Sequence, residues 1–192
     1  MGHPKDGIAA LSLLFLFCIF LCLYHPGNNP SEEGLKKIPN PYYISTPWPD
    51  HSAYGLELAI GKGFNTPYQT GVFDCSNMAS FLQWKLKKLG FDAKICMSND
   101  FKGFDHNVGS GHAWVAVDVP VDGKKERFYV ESTANEINGF NFQLIKSFDA
   151  DVKYYSDYQR IYDDIHELAK HEPFSEYDWW TRLNYSIESK IR

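Results

Sequence analysis

The 192-residue chain is 44% hydrophobic and 16% aromatic, with a formal net charge of −5. This is the composition of a globular protein able to build a core, and the acidic balance without any basic stripe argues against a nucleic-acid partner. Once an N-terminal apolar run is set aside, about 165 residues remain, which suits one domain.

That run, Ile8–Tyr24, is apolar except for Ser12, with Lys5 ahead of it and Lys36 and Lys37 some way behind. It is long enough to span a bilayer narrowly or to serve as the apolar part of a signal peptide. No small-x-small cleavage site precedes Pro26, and Cys18 and Cys22 lie in no lipoprotein box. An uncleaved anchor over 1–24 is therefore favoured over a cleaved signal. A core helix is disfavoured because the run is apolar all round. The expected location is membrane-anchored with the domain outside the cytoplasm, or secreted. Pro26, Pro30, Pro39, Pro41, Pro47 and Pro49 make 25–50 a proline-rich linker, leading into a folded domain over 51–192.

A short helix is expected from His51 to Lys62. The next helix is better marked. Asp74 is a good N-cap, Met78, Phe81, Leu82, Leu86 and Leu89 recur at helical spacing, and Gly90 supplies the stop. Three strand-like runs follow: Phe91–Met97, His112–Val119 and Arg127–Glu131. The second is apolar on both faces, as a central strand would be. Asp122-Gly123 is a hairpin signal. Ser98–Gly111 reads as a polar loop. Beyond Asp149, Tyr154, Tyr158, Ile161, Tyr162, Ile165 and Leu168 form a helical stripe, expected to pack on the core. Trp179 and Trp180 near the end are expected to pack, with contact to a bilayer interface as the alternative.

Three residues stand out for chemistry. Cys75 follows the N-cap, so it lies in the first helical turn, where the dipole and the free backbone N–H groups stabilise a thiolate, the nucleophilic form of cysteine. His112 opens the central strand behind Gly109-Ser110-Gly111 and can accept and return a proton. A two-residue turn at Asp122-Gly123 sets Val121 opposite Lys124. That register makes Glu131 a diagonal neighbour of His112 on the same sheet face. A four-residue loop keeps that face; a three-residue loop reverses it. There, a carboxylate fixes the tautomer and orientation of the histidine. Taken singly, each residue has a bland reading: a structural cysteine, a packed strand histidine, a surface glutamate.

Together, Phe73-Asp74-Cys75-Ser76-Asn77, Gly111-His112-Ala113-Trp114-Val115 and Tyr129-Val130-Glu131-Ser132-Thr133 resemble the transglutaminase-like superfamily in order and spacing. The resemblance covers about residues 50–135. It implies an α+β, papain-like core with the nucleophile helix packed on an antiparallel sheet, extended here by a C-terminal helix. It also implies a Cys75–His112–Glu131 triad, with Gln69 as an oxyanion-hole candidate beside the backbone N–H of Cys75. Tyr68 is an equal candidate for a neighbour of the site, and Trp114 for one of its walls. Glu131-Ser132-Thr133 departs from the family's usual Asp-Pro-Thr.

The function this points to is a thiol-dependent amide-bond enzyme acting on a peptide or protein through a thioester, either hydrolase or acyltransferase. The chemistry requires no metal or organic cofactor. The alternative is a non-catalytic, membrane-anchored binding module on the same fold. Pairing of Cys75 with Cys96 in an oxidising compartment would silence the nucleophile. Other signals are weaker. Asn99, Asp100, Asp105, His106 and Asn107 fit no calcium loop. His106 and His112 lack zinc spacing. Gly61-Lys62-Gly63 is an incomplete phosphate loop. Asn184-Tyr185-Ser186 matches a glycosylation acceptor, a pattern common by chance.

Overall fold

Helix α1 (Ala53–Ile60) begins at Ser52, whose hydroxyl accepts the amide of Gly55 at 3.2 Å. Helix α2 (Cys75–Lys88) begins at Asp74, whose carboxylate accepts the amides of Ser76 and Gly71 at 3.1 and 2.8 Å. Asn77 reaches back to the amide of Asp74 at 3.2 Å and completes a capping box. Gly90 ends the helix in a left-handed conformation, at φ +93°, which a side chain would strain. Replacing Asp74 by alanine should cost about 1 kcal/mol, read as a lower urea midpoint with an unchanged slope. An unchanged midpoint would mean that the cap contributes nothing.

These elements come from a computed structural model that describes residues 35, 37–40, 42–43, 45–61, 68–103, 110–133 and 142–182. The apolar run of 1–24, residues 104–109 of the polar loop, the Lys62-Gly63 pair and Asn184 lie outside the described residues. Among those described, no helix is long and apolar enough to cross a membrane.

Strands β1 (Asp92–Phe101), β2 (Ser110–Val121), β3 (Lys124–Glu131), β4 (Gln143–Ile145) and β5 (Arg160–Tyr162) form one antiparallel sheet in the order β4-β3-β2-β1-β5. The molecule is thus α+β, a mixed fold of one five-stranded sheet and a few helices. Asp122 and Gly123 both take positive φ, 48° and 79°, the signature of a tight two-residue hairpin turn. Val121 accordingly faces Lys124, and the register runs on to Val115 opposite Val130.

The sheet has two buried faces. Ile95, Val115, Val117 and Val130 join the larger cluster with Leu82 and Leu86 of α2. Cys96, Trp114, Ala116 and Tyr129 form a smaller cluster on the other face. Helix α2 is buried on more sides than its stripe suggests. Trp179 packs against Phe81 and Trp84 at ring separations of 5.0 and 4.7 Å. Trp179 is fully buried, so it is a core residue and not a bilayer contact.

Two expectations are corrected. The linker assigned to 25–50 is not a tether throughout. Tyr42 is buried, its carbonyl accepts the Trp84 indole N–H at 2.7 Å, and Thr46 and Trp48 donate to the carbonyls of Lys88 and Leu89. The stretch beyond Asp149 is not one helix. It forms α3 (Val152–Tyr155), strand β5 and α4 (Ile165–Leu168), followed by a 3₁₀ turn (Phe174–Glu176) and α5 (Trp179–Arg182). Without β5, β1 would be an edge strand with unpaired backbone groups on one side, and the β-branched and aromatic pair Ile161-Tyr162 suits a strand. Ile161 packs into the smaller cluster and Tyr162 into the larger. Adjacent residues pointing to opposite faces follow the strand period of two. Asp164 then caps α4 by accepting the amides of His166 and Glu167.

Candidate active site

Antiparallel pairing puts the start of β2 and the end of β3 at the same end of the sheet. His112 enters there on one strand and Glu131 leaves on the other. His112 Nε2 donates to Glu131 Oε2 at 2.7 Å, with both side chains almost fully buried. Helix α2 packs over β1 and β2, and its first residue, Cys75, is a side-chain hydrogen-bond partner of His112. Cys75 itself is half-buried, the condition of a reachable nucleophile.

Glu131 is held by more than the histidine. Its Oε1 accepts the backbone amide and the hydroxyl of Thr133 at 2.7 and 2.6 Å. Its Oε2 also accepts the Tyr155 hydroxyl at 3.1 Å. Burial pushes this carboxyl upward, but the charge of His112 and the hydrogen bonds from His112 and Thr133 win and hold it below the usual carboxylate range. Burial likewise opposes a charge on His112. The Glu131 charge and the bonds to Cys75 and Glu131 override it, and the imidazole is raised well above its ordinary value. The site therefore favours imidazolium beside carboxylate.

Aromatic rings fix the imidazole plane. Trp114 stacks on His112 at 5.7 Å and 22°, and Phe101 lies 4.6 Å from the same ring. Tyr68, 48% exposed, stands at the open side, where burial and then the proximity of Cys75 raise its phenol. Gln69 lies in the tight turn ahead of α2. It is exposed, and main-chain bonds with Phe73 at 2.9 Å in both directions hold it there.

Cys75, His112 and Glu131 are thus brought together, and Tyr68 borders them. Tyr155 is the contact that sequence reasoning missed. It falls out of phase with the stripe Tyr154–Tyr158–Ile161, and nothing local marks it. Cys75 and Cys96 are both free. Cys96 is fully buried on the sheet face opposite α2, where burial pushes its thiol up to about 12. No set of three His, Cys, Asp or Glu side chains suited to a metal ion occurs among the described residues.

Comparison of the chain with protein-family models, with curated proteins and with solved structures finds no match. The functional reading therefore rests on the geometry and on the motif resemblance.

Proposed function

We propose that this protein is a thiol-dependent amide-bond enzyme of transglutaminase-like type, built on a papain-like core. The observation that carries the reading is the buried Glu131–His112 bond of 2.7 Å, with Cys75 acting on the same imidazole. A structural cysteine needs no imidazole partner, and a packed histidine needs no buried carboxylate. Keeping all three in hydrogen-bonded contact burdens the fold with a desolvated charge pair. Catalysis gives that burden a use.

In the proposed cycle, the Cys75 proton already rests on the His112 imidazolium, and the sulfur adds to the substrate carbonyl. The backbone N–H of Cys75, free at the helix start, faces the developing oxyanion. Collapse of the adduct breaks the C–N bond, His112 returns the proton to the leaving amine, and a thioester remains on Cys75. Water then releases an acid, or a second amine releases a new amide, with His112 again relaying the proton. We favour hydrolysis of a peptide or protein. With the N-terminal run acting as anchor or signal, this would take place outside the cytoplasm.

The test is capture of thiols by iodoacetamide on the full chain in detergent, resolved by site with mass spectrometry. Cys75 should react at pH 6 at least about a hundred-fold faster than Cys96, since the thiolate is the reacting form. Cys75→Ser should remove that signal and leave Cys96 unchanged. Equal, slow labelling of both cysteines would favour the binding module and sink the enzyme reading.

A further inference from the structure

We propose that Tyr155 is a positioning residue that orients the Glu131 carboxylate, a role that rests on the enzyme reading above. Tyr155 closes α3, in a segment that returns to the sheet from the C-terminal part of the chain. Its hydroxyl donates to Glu131 Oε2 at 3.1 Å, the same oxygen that takes His112 Nε2 at 2.7 Å. Its carbonyl accepts the indole N–H of Trp114 at 3.1 Å, and Trp114 is the ring stacked on His112. One residue thus ties down both groups that hold the imidazole, one through its side chain and one through its backbone.

Packing alone does not explain the hydroxyl. The ring already meets Phe101 and Trp114 edge-on at 5.1 and 5.8 Å, and phenylalanine would fill that space equally well. The chemistry explains it better. A buried carboxylate that must stay ionised needs donors. A cationic donor such as arginine would cancel the attraction that keeps His112 protonated. A neutral phenol stabilises the carboxylate and leaves that attraction in place. The titratable groups facing Glu131 are His112 from β2, Tyr155 from α3 and Tyr68 from the turn ahead of α2, with Cys75 acting through His112.

The experiment compares the full-length wild type, Tyr155→Phe and Glu131→Gln, with site-resolved iodoacetamide capture of Cys75 followed from about pH 4 to about pH 9. The acid limb of the wild-type profile reports protonation of the Glu131–His112–Cys75 unit. Loss of the phenol donor should raise that limb by about half a pH unit to one unit, with only a small fall in melting temperature. Should Tyr155→Phe not fold, 3-fluorotyrosine placed at 155 keeps the ring and strengthens the donor, and should move the limb the opposite way. A limb that moves in Glu131→Gln but stays fixed in both Tyr155 variants overturns the Tyr155 role alone. A wild-type Cys75 that reacts no faster than Cys96 overturns the enzyme reading and this role with it.

Discussion

Substituting His112 by alanine will slow iodoacetamide capture of Cys75 at pH 6 by about a hundred-fold, the lower end of what a positioned acid–base group contributes. The imidazole is the hydrogen-bond partner of the thiol and is itself held charged by Glu131. Removing it removes the cation beside the sulfur. The helix start remains, so some reactivity will persist: a helix terminus contributes only about 0.3–1 kcal/mol in most settings. The buried Cys96 provides the internal reference in the same sample. Alanine at 112 leaves the Glu131 charge buried without its cation, so His112→Gln serves as the second variant. Capture rates unchanged in both variants would reject the thiol–imidazole pair.

Glu131→Gln carries the second large effect, this time on stability. Breaking a buried ion pair from one side costs about 3 kcal/mol or more, and here Tyr155 and Thr133 also lose a charged acceptor. The pH dependence follows from linkage. His112 is raised in the fold, so its contribution is fully present below its ordinary value of 6.5 and is lost as pH rises through the folded value. Glu131 is lowered, so its contribution is fully present above its ordinary value of 4.5 and is lost as pH falls through the folded value. The stability gap between wild type and Glu131→Gln should therefore be widest between 4.5 and 6.5 and narrow on both sides. Urea unfolding of both proteins across that range measures it. A gap that stays constant from about pH 3 to about pH 10 would show that no ion pair is present.

Much of the site was legible because its signals are local. Asp74 and Asn77 form a cap within four residues, so the position of Cys75 at a helix start follows from neighbours in sequence. A two-residue turn at Asp122-Gly123 fixes strand parity, and parity alone decides which face Glu131 shares. The C-terminal stretch misled for a related reason. Tyr154, Tyr158, Ile161 and Ile165 satisfy a helical period, and the pattern contains nothing about an unpaired strand edge waiting elsewhere. That edge belongs to β1, more than sixty residues away, where Ile161 pairs with Cys96.

By itself, then, the sequence determined the helix start at Cys75, the hairpin register and the alternation that buries both sheet faces. Each depends on backbone conformations chosen by adjacent side chains, at roughly a kilocalorie per choice. The tertiary structure alone decided that Tyr42 and Trp48 belong to the domain, that Trp179 fills the space behind α2, and that Tyr155 reaches Glu131. Those contacts join residues 24 to 137 positions apart. Their partners exist only after the sheet has closed, so no local pattern could announce them.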